Sequence, residues 1–311
     1  MENDRLPYIS VIITAYNRKE FLLNAIKSVL SQTLDKTYYE IIVIKNFKDD
    51  NIDDFIKKNK VIGIISNEES LSGKLVEALN IARGTVISFL EDDDSFLENK
   101  LDIVYNEFIQ DSNVVYYHNL CVYINENGKS INNNLINPSP DFNMSSISIK
   151  KSIVKIKNND KTNILPDTSM YLYALESNKK IINGKEKLTY YMFHKSASHI
   201  VAINFEEYRK QTLTIIEETL ETYRKLKELC NLPNSINFIN ARMTGFEING
   251  YIYGRNEKPN NLINYILNYS FPLKLRIKFL SAYILIKINH NFRQYIQKKI
   301  WRNDNKRSIN L

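Results

Sequence analysis

The chain has 311 residues, of which 43% are hydrophobic and 25% charged. This composition is typical of a soluble globular protein, and the length allows one large domain or two small ones. No apolar segment approaches the ~20 residues of a membrane-spanning helix, and the first residues, MENDRLPYIS, lack the pattern of a signal peptide. We therefore predict a cytoplasmic protein.

The net charge of +7 is unevenly distributed along the chain. Residues 258–303 contain nine Lys and Arg residues and no Asp or Glu. These nine positive charges exceed the total, so the rest of the chain is slightly acidic. The basic character belongs to the C-terminal region.

The first hundred residues alternate between strand and helix patterns. Apolar, β-branched runs predict strands over 8–16, 39–46, 61–66 and 85–90, and helical periodicity predicts helices over 18–33, 49–59 and 72–84. Ser72 is the expected N-terminal cap of the third helix and Gly84 its expected stop. This alternation predicts an α/β fold with a doubly wound, mostly parallel sheet flanked by helices. Ligands of such folds bind at the carboxyl ends of the strands.

The pattern changes after the fourth strand. A hairpin is predicted over 113–131 around Asn127-Gly128, followed by a helix over 167–180 and a strand over 187–194. A long amphipathic helix runs from about residue 204 to the vicinity of Pro233, and further helices reach Trp301. We therefore predict an α/β domain over 1–203 and a C-terminal helical region over 204–311.

Four consecutive acids, Glu91, Asp92, Asp93 and Asp94, directly follow the fourth predicted strand. Like charges this close raise one another's pKa values, so their clustering requires an explanation. One interpretation is a solvated loop in which Asp94 or Ser95 caps a helix from Phe96, but a cap needs only one acceptor. The other is a site for Mg²⁺ or Mn²⁺, which prefer oxygen ligands. The position at a strand's carboxyl end favours the metal site.

Three segments in order, ISVIITAYNR, QTLDKTYYEIIVIKN and GKLVEALNIARGTVISFLEDDDSF, resemble the inverting glycosyltransferases of family 2, which have the GT-A fold. The resemblance covers roughly residues 7–110. It implies transfer of a sugar from a nucleoside diphosphate sugar, with inversion and with Mg²⁺ or Mn²⁺ as cofactor. It also implies a glycan or lipid-linked acceptor, and UDP as the expected nucleotide.

The same resemblance assigns the donor side of the site. Asp93 takes the place of the metal ligand, and the expected donor-binding residues are Thr14, Ala15, Tyr16, Arg18, Asn46, Lys74 and Asp92. Asn46 stands where the family has a carboxylate that accepts a hydrogen bond from the base, and an amide oxygen accepts that bond without charge. Two alternatives stay open: Tyr16 as a packing aromatic and Lys74 as an exposed helical lysine.

The acceptor side rests on two further segments of the resemblance. Asp167, in ILPDTSMYLYALESNKKII, is the expected general base that deprotonates the acceptor hydroxyl. Its alternative role is a helix cap, and the two roles are compatible. The resemblance also implies that His194, in YYMFHKSASH, approaches the metal or the diphosphate, although a lone His is more often structural. The four His residues lack the close paired spacing of a zinc site.

The segment FPLKLRIKFLSAYILIKINHNFRQYIQKKIW, residues 271–301, combines apolar residues with cations. It predicts an amphipathic element on an anionic membrane surface, consistent with a peripheral position on the cytoplasmic face. Nucleic acid is disfavoured, because the cations are interleaved with aliphatic residues rather than grouped into a phosphate-tracking patch. The alternative is a helix that packs on the catalytic domain with its lysine heads in solvent.

Two other functions compete with sugar transfer. A nucleotidyltransferase also pairs carboxylates with a metal on an α/β sheet, but such enzymes usually carry a Gly-rich loop after the first strand, and TAYNRKE has no Gly. A catalytically silent sugar-nucleotide-binding protein is the other competitor, since the segment after the second strand departs from the family pattern.

Overall fold

The computed structural model describes residues 6–131, 139–155, 165–193, 202, 204–267 and 273–309. The chain divides into two compact units. The first comprises Met1–Asn133 and Pro140–Met192, and the second comprises Asn134–Ser139 and Phe193–Leu311.

Four parallel strands form one half of the sheet of the first unit. They are β1 (Ile9–Ala15), β2 (Tyr39–Lys45), β3 (Ile62–Ile65) and β4 (Val86–Glu91), in the spatial order β3-β2-β1-β4. The connecting helices are α1 (Lys19–Leu30), α2 (Asp50–Lys58) and α3 (Leu71–Ile81). Strands β1 and β2 are buried almost throughout, as expected for strands covered on both faces. The predicted strand–helix alternation is confirmed.

Two predicted details of α3 are wrong. The N-terminal cap is Ser70, whose Oγ accepts a hydrogen bond from the Gly73 N–H at 3.0 Å, whereas Ser72 lies inside the helix. The helix ends at Ile81 with Ala82 as its C-cap, so Gly84 is not its stop. A Cβ at Gly84 would lie 2.4 Å from the backbone nitrogen of Ser10, so this glycine is required because the chain passes close to β1.

The other half of the sheet is joined by antiparallel pairs. Its strands are β5 (Ser95–Phe96), β6 (Val114–Asn125), β7 (Ile147–Lys150) and β8 (Lys180–Phe193), and the order continues β4-β7-β6-β8-β5. Helices α4 (Lys100–Gln110) and α5 (Pro166–Glu176) complete this unit. The α/β class is confirmed, and the parallel arrangement holds for β1 to β4.

Three predicted boundaries in this half differ from the structure. The hairpin over 113–131 is reduced to the strand β6 and a tight turn, closed by a single bridge between Ile124 and Ser130. The helix α5 ends at Glu176 rather than 180, because Lys180 already belongs to β8. That strand therefore begins seven residues before the predicted 187–194.

The second unit is helical, as predicted for the C-terminal region. Its helices are α6 (Phe205–Glu228), α7 (Pro233–Tyr253), α8 (Leu262–Leu267), α9 (Leu273–Ile288) and α10 (Asn291–Ile309). Its core is formed by buried side chains of α6 to α9, among them Ile216, Leu220, Ile248, Ile252, Tyr265, Tyr283 and Ile286. Within the described ranges, no helix combines the length and the hydropathy that crossing a membrane requires.

Candidate functional site

The ends of three parallel strands bring the predicted donor residues to one edge of the sheet. Thr14 of β1 is in register with Glu91 of β4, and Ala15 is in register with Lys45 of β2. The segments that follow β1, β2 and β4 therefore emerge side by side. Strands β2 and β4 lie on opposite sides of β1, so the direction in which the chain adds strands to the sheet reverses at β1. Open α/β sheets bind ligands at such a reversal point.

At this edge Arg18 binds two of the four acids. Its Nη2 lies 2.5 Å from Asp92 Oδ1 and its Nη1 lies 2.6 Å from Asp93 Oδ2. The Asp92 side chain is fully buried and that of Asp93 is 11% exposed. Burial raises the pKa of Asp92 to about 6, and the Arg18 charge opposes this rise. Arg18, which the family resemblance placed among the donor-binding residues, holds the acidic cluster together.

The other two acids of the cluster have different environments. Asp94 is buried and accepts hydrogen bonds from the Met192 N–H at 3.0 Å and from Asn143 Nδ2 at 3.1 Å. Burial, together with the charge of Asp93, raises the pKa of Asp94 to about 7. Burial also raises the pKa of Glu91, and the neighbouring carboxylates add to that effect. Asp94 thus anchors the end of β4 to β8.

The helix-capping interpretation of the acidic cluster is wrong. Ser95 and Phe96 form the strand β5, which pairs with β8, and no helix begins there. The next helix, α4, starts only at Lys100 and has no side-chain cap. The acids therefore lie at the edge of the sheet and do not cap a helix.

Lys100 lies behind the acidic cluster, and sequence reasoning missed it. It is fully buried, and its Nζ donates hydrogen bonds to the Ser145 carbonyl and, at 3.1 Å, to Thr189 Oγ1. The same Nζ lies 3.8 Å from the centre of the Phe96 ring, and burial lowers the pKa of Lys100 to about 7. In the sequence it is one lysine at a helix start, and no pattern distinguishes it from an exposed one.

Tyr16 and Lys74 form a pair beside the acids. The Tyr16 side chain is 53% exposed, so the packing interpretation is wrong. Lys74 is 2% exposed, so the exposed-lysine interpretation is also wrong. Its Nζ donates to the carbonyls of Glu68 and Glu69 at 2.5 and 3.2 Å and lies 4.9 Å from the Tyr16 ring centre. Burial lowers the pKa of Lys74.

Asn46, at the end of β2, forms a reciprocal pair with Asn17. Its Oδ1 accepts from the Asn17 backbone N–H at 3.0 Å, and its Nδ2 donates to Asn17 Oδ1 at 3.0 Å. Asn17 has a φ of 56°, a conformation that Asn tolerates better than most residues. A carboxylate in place of Asn46 could accept the first bond but could not donate the second.

Asp167 lies in the first turn of α5, near the acidic cluster. The N-cap is Leu165, so the capping role predicted for Asp167 is wrong. Its Oδ1 instead accepts from the Thr168 N–H at 2.9 Å. Its charge is close enough to contribute to the raised pKa of Glu91, behind burial and the charges of Asp94 and Asp93. His194, the second predicted acceptor-side residue, lies outside the described residues.

The carboxylates at this edge offer few ligands to a divalent cation. Across the part of the chain that the structure describes, no group of three or more His, Cys, Asp or Glu side chains converges on one point. Mg²⁺ and Mn²⁺ retain water and phosphate ligands and need only one or two carboxylates from the protein. Asp93, the more exposed of the two acids bound by Arg18, fits that requirement once Arg18 releases it.

A protein-family model, described as glycosyl transferase family 2, matches residues 10–176. An uncharacterised glycosyltransferase of Rickettsia conorii is 37% identical over 128 residues, which is 40% of this chain and 20% of that protein. The poly(ribitol-phosphate) beta-N-acetylglucosaminyltransferase TarP of Staphylococcus aureus is 27% identical over 196 residues, which is 61% of this chain and 54% of TarP. The chain thus matches only part of the length of these relatives.

Two solved structures are similar in fold. The mannosyltransferase PcManGT of Pyrobaculum calidifontis, solved with GDP-mannose and Mn²⁺, has a TM-score of 0.56 at 12% identity, covering 98% of this chain and 85% of that one. Residues 1–349 of S. aureus TarS, solved with UDP-GlcNAc, have a TM-score of 0.50 at 16% identity, covering 89% and 80%. These similarities confirm the fold predicted from the sequence.

Proposed function

Because the chain belongs to glycosyl transferase family 2, we propose that it transfers a sugar from a nucleoside diphosphate sugar to a hydroxyl group, with inversion at the anomeric carbon. The observation that carries the proposal is the meeting of Tyr16, Asn46 and the Arg18-bound acids at the reversal point of the parallel strands. We propose a UDP-sugar as donor and a glycan or a lipid-linked glycan as acceptor.

The proposed donor site uses side chains that lie at this edge. The half-exposed Tyr16 ring offers an apolar face to the base, and the ribose is placed next to Asp92, whose fully buried carboxylate has to become accessible when the donor binds. Lys74 stands beside Tyr16, where its ammonium group can approach the diphosphate. Thr14 and Ala15 end β1 directly before Tyr16 and form the floor of this proposed site.

Asp93 is the residue proposed to hold Mg²⁺ or Mn²⁺. When bound, such an ion supplies positive charge that stabilises a diphosphate leaving group. In this structure the Asp93 carboxylate is ion-paired with Arg18, whose Nη1 lies 2.6 Å from Asp93 Oδ2. In the proposed cycle Arg18 releases Asp93 and keeps its ion pair with Asp92, which is fully buried and needs a counter-charge.

The proposed chemical step is a single displacement. Asp167 accepts the proton of the acceptor hydroxyl, and the oxygen forms a bond to the anomeric carbon on the face opposite the diphosphate. The bond between that carbon and the diphosphate oxygen breaks, and its electron pair leaves with the nucleoside diphosphate. The product has the inverted configuration, and the proton stays on Asp167 until it exchanges with water.

The donor site is tested by thermal stability with UDP, GDP, dTDP and CDP, each with and without Mn²⁺. A nucleotide at ~100 times its dissociation constant stabilises the fold by about 2.7 kcal/mol. We expect a shift with UDP that requires Mn²⁺ and is lost in Asp93→Ala. The matched control is Asp111→Ala, which removes another ion-paired aspartate, bound to Lys180 at 3.0 Å. No shift with any nucleotide contradicts the proposal.

The base is tested separately by Asp167→Asn. Because an amide cannot accept the hydroxyl proton, transfer should fall by at least about 100-fold while donor binding stays within about twofold. Transfer is measured as release of nucleoside diphosphate in the presence of acceptor. A variant that transfers at the wild-type rate contradicts the assignment of Asp167.

A second candidate, a protein that binds a sugar nucleotide without transferring it, is favoured by one observation. Both polar ends of the Asn46 amide are occupied by Asn17. Asn46→Asp provides a charged acceptor for the N3–H of uracil and should strengthen UDP binding about five- to tenfold. Wild-type protein that binds UDP-sugar but releases no UDP with any acceptor or with water supports this candidate over transfer.

A further inference from the structure

Helix α9 carries apolar side chains on two faces. One face is buried in the second unit, where Tyr283 and Ile286 are 5% and 0% exposed and join the core formed with α6 and α7. The other face carries Leu273, Ile277, Ile284 and Ile288, which are 60, 57, 51 and 77% exposed. These four residues are named the α9 stripe.

The α9 stripe is continuous along the helix. Its members follow one another at intervals of four, seven and four residues, so on a helix of 100° per residue they fall within about 60° of arc. At 1.5 Å per residue the stripe is about 22 Å long. Four aliphatic side chains aligned over this length form an exposed apolar surface, unlike the isolated exposed residues that most proteins carry.

Cations border the stripe along helix α9. Lys274 and Lys278 are exposed on one side of it and Lys287 on the other. Helix α10 adds a second exposed row, in which Phe292, Tyr295, Lys299 and Arg302 follow at helical spacing. The sequence from 258 to 303 contains no carboxylate side chain that could neutralise these charges.

We propose that the α9 stripe docks on an anionic lipid surface, with the aliphatic side chains in the acyl boundary and the lysines at the lipid phosphates. Such a surface offers both an apolar phase and negative charge. The aromatic residues of α10 are of the type enriched at that interface. The inference does not rest on the proposed sugar transfer.

Two other occupants fit the surface less well. A second copy of the chain would place the same cations opposite one another in a twofold interface, and no carboxylate of the segment would compensate them. A nucleic acid would satisfy the lysines, but it would leave the four aliphatic side chains without an apolar partner. An anionic bilayer satisfies both groups of residues.

The experiment is flotation of the full chain with phosphatidylcholine vesicles that contain or lack ~30% phosphatidylglycerol. We expect binding to the anionic vesicles that weakens with added salt. Ile277→Glu/Ile284→Glu should reduce the partition coefficient at least about tenfold, because two charges would enter the acyl boundary. The matched control is Ile109→Glu/Ile215→Glu, which changes isoleucines 51 and 46% exposed on α4 and α6 and should leave binding unchanged.

A second variant removes charge without touching the stripe. Lys274→Gln/Lys278→Gln should weaken binding about 25-fold, or about fivefold per cation near the surface. It keeps the proposal testable if the glutamate variant fails to fold, which circular dichroism would detect. Equal binding to both vesicle types, a doubled molar mass that Ile277→Glu/Ile284→Glu abolishes, or oligonucleotide binding without vesicle binding would each overturn the proposal.

Discussion

The acidic edge of the sheet and the surface around the α9 stripe differ in how their charged groups are buried and paired. At the edge, Asp92 is fully buried and an arginine lies within 2.6 Å of both Asp92 and Asp93. Along α9, several lysines are exposed to solvent, and neighbouring aliphatic side chains are exposed as well. The first region compensates its charge within the fold, whereas the second leaves its charge exposed to solvent.

The difference follows from the cost of desolvation. A carboxylate removed from water is destabilised by several kcal/mol unless a counter-charge and hydrogen bonds compensate it. Asp92 receives both, from Arg18 and from the Tyr16 N–H at 3.2 Å. An exposed lysine keeps its hydration and needs no partner, so nothing in folding selects against a one-sign surface on α9. Three experiments test this contrast.

The largest effect is expected for Arg18→Met. It leaves the buried Asp92 without its counter-charge, and breaking a buried ion pair in this way costs about 3–5 kcal/mol. The thermal midpoint at pH 7 should fall by several degrees, and Mn²⁺ should restore more stability in the variant than in the wild type. The control Arg224→Met breaks an exposed pair with Glu221 and should leave the midpoint nearly unchanged. A wild-type midpoint for Arg18→Met contradicts the compensation described for Asp92.

The next effect separates the two faces of α9. Ile286→Ala removes a fully buried side chain from the core of the second unit and should destabilise it by about 3 kcal/mol. Ile284→Ala, two residues away and 51% exposed, should change stability by less than about 0.5 kcal/mol. Urea denaturation measures both. Equal losses would show that the stripe is part of the folded core rather than a free surface.

The smallest effect is expected for the pH dependence of stability that arises from His118, which is buried as a neutral group in the first unit. Burial lowers the pKa of His118 from 6.5 to about 4, and its Nε2 lies 2.8 Å from the Phe142 carbonyl oxygen. Between these pH values the unfolded chain binds the proton and the folded chain does not, so stability falls as the pH drops below 6.5. The loss is about 1.6 kcal/mol between pH 6.5 and 5, because the unfolded chain is half protonated at pH 6.5 and the slope approaches about 1.4 kcal/mol per pH unit only below it.

His118→Gln should remove this part of the pH dependence. The measurement is the difference in unfolding free energy between variant and wild type at several pH values from 5 to 7.5, which cancels the contributions of the other titrating groups. A difference that stays constant with pH would mean that His118 is not buried as a neutral group.

The parallel half of the sheet could be predicted from the sequence because its signals are local. A strand covered on both faces is a continuous apolar run, as in β1, and the helix that follows shows its own period. Such patterns place TAYNR, Asn46 and the four acids at the ends of strands. The antiparallel half was predicted poorly, since the pairing of β5, β7 and β8 depends on partners far away in the chain.

Local sequence patterns therefore suffice to predict the fold class, the helical C-terminal region, the edge at which the acids gather and the basic character of α9. The different contacts of the acids become visible only in the folded chain, where Asp92 and Asp93 bind Arg18 and Asp94 accepts a hydrogen bond from β8. The burial of Lys74 and Lys100 and the exposure of the α9 stripe are likewise seen only in the folded chain. The physical reason is that composition and periodicity are local properties, whereas burial and charge pairing depend on residues that folding brings together from distant parts of the chain.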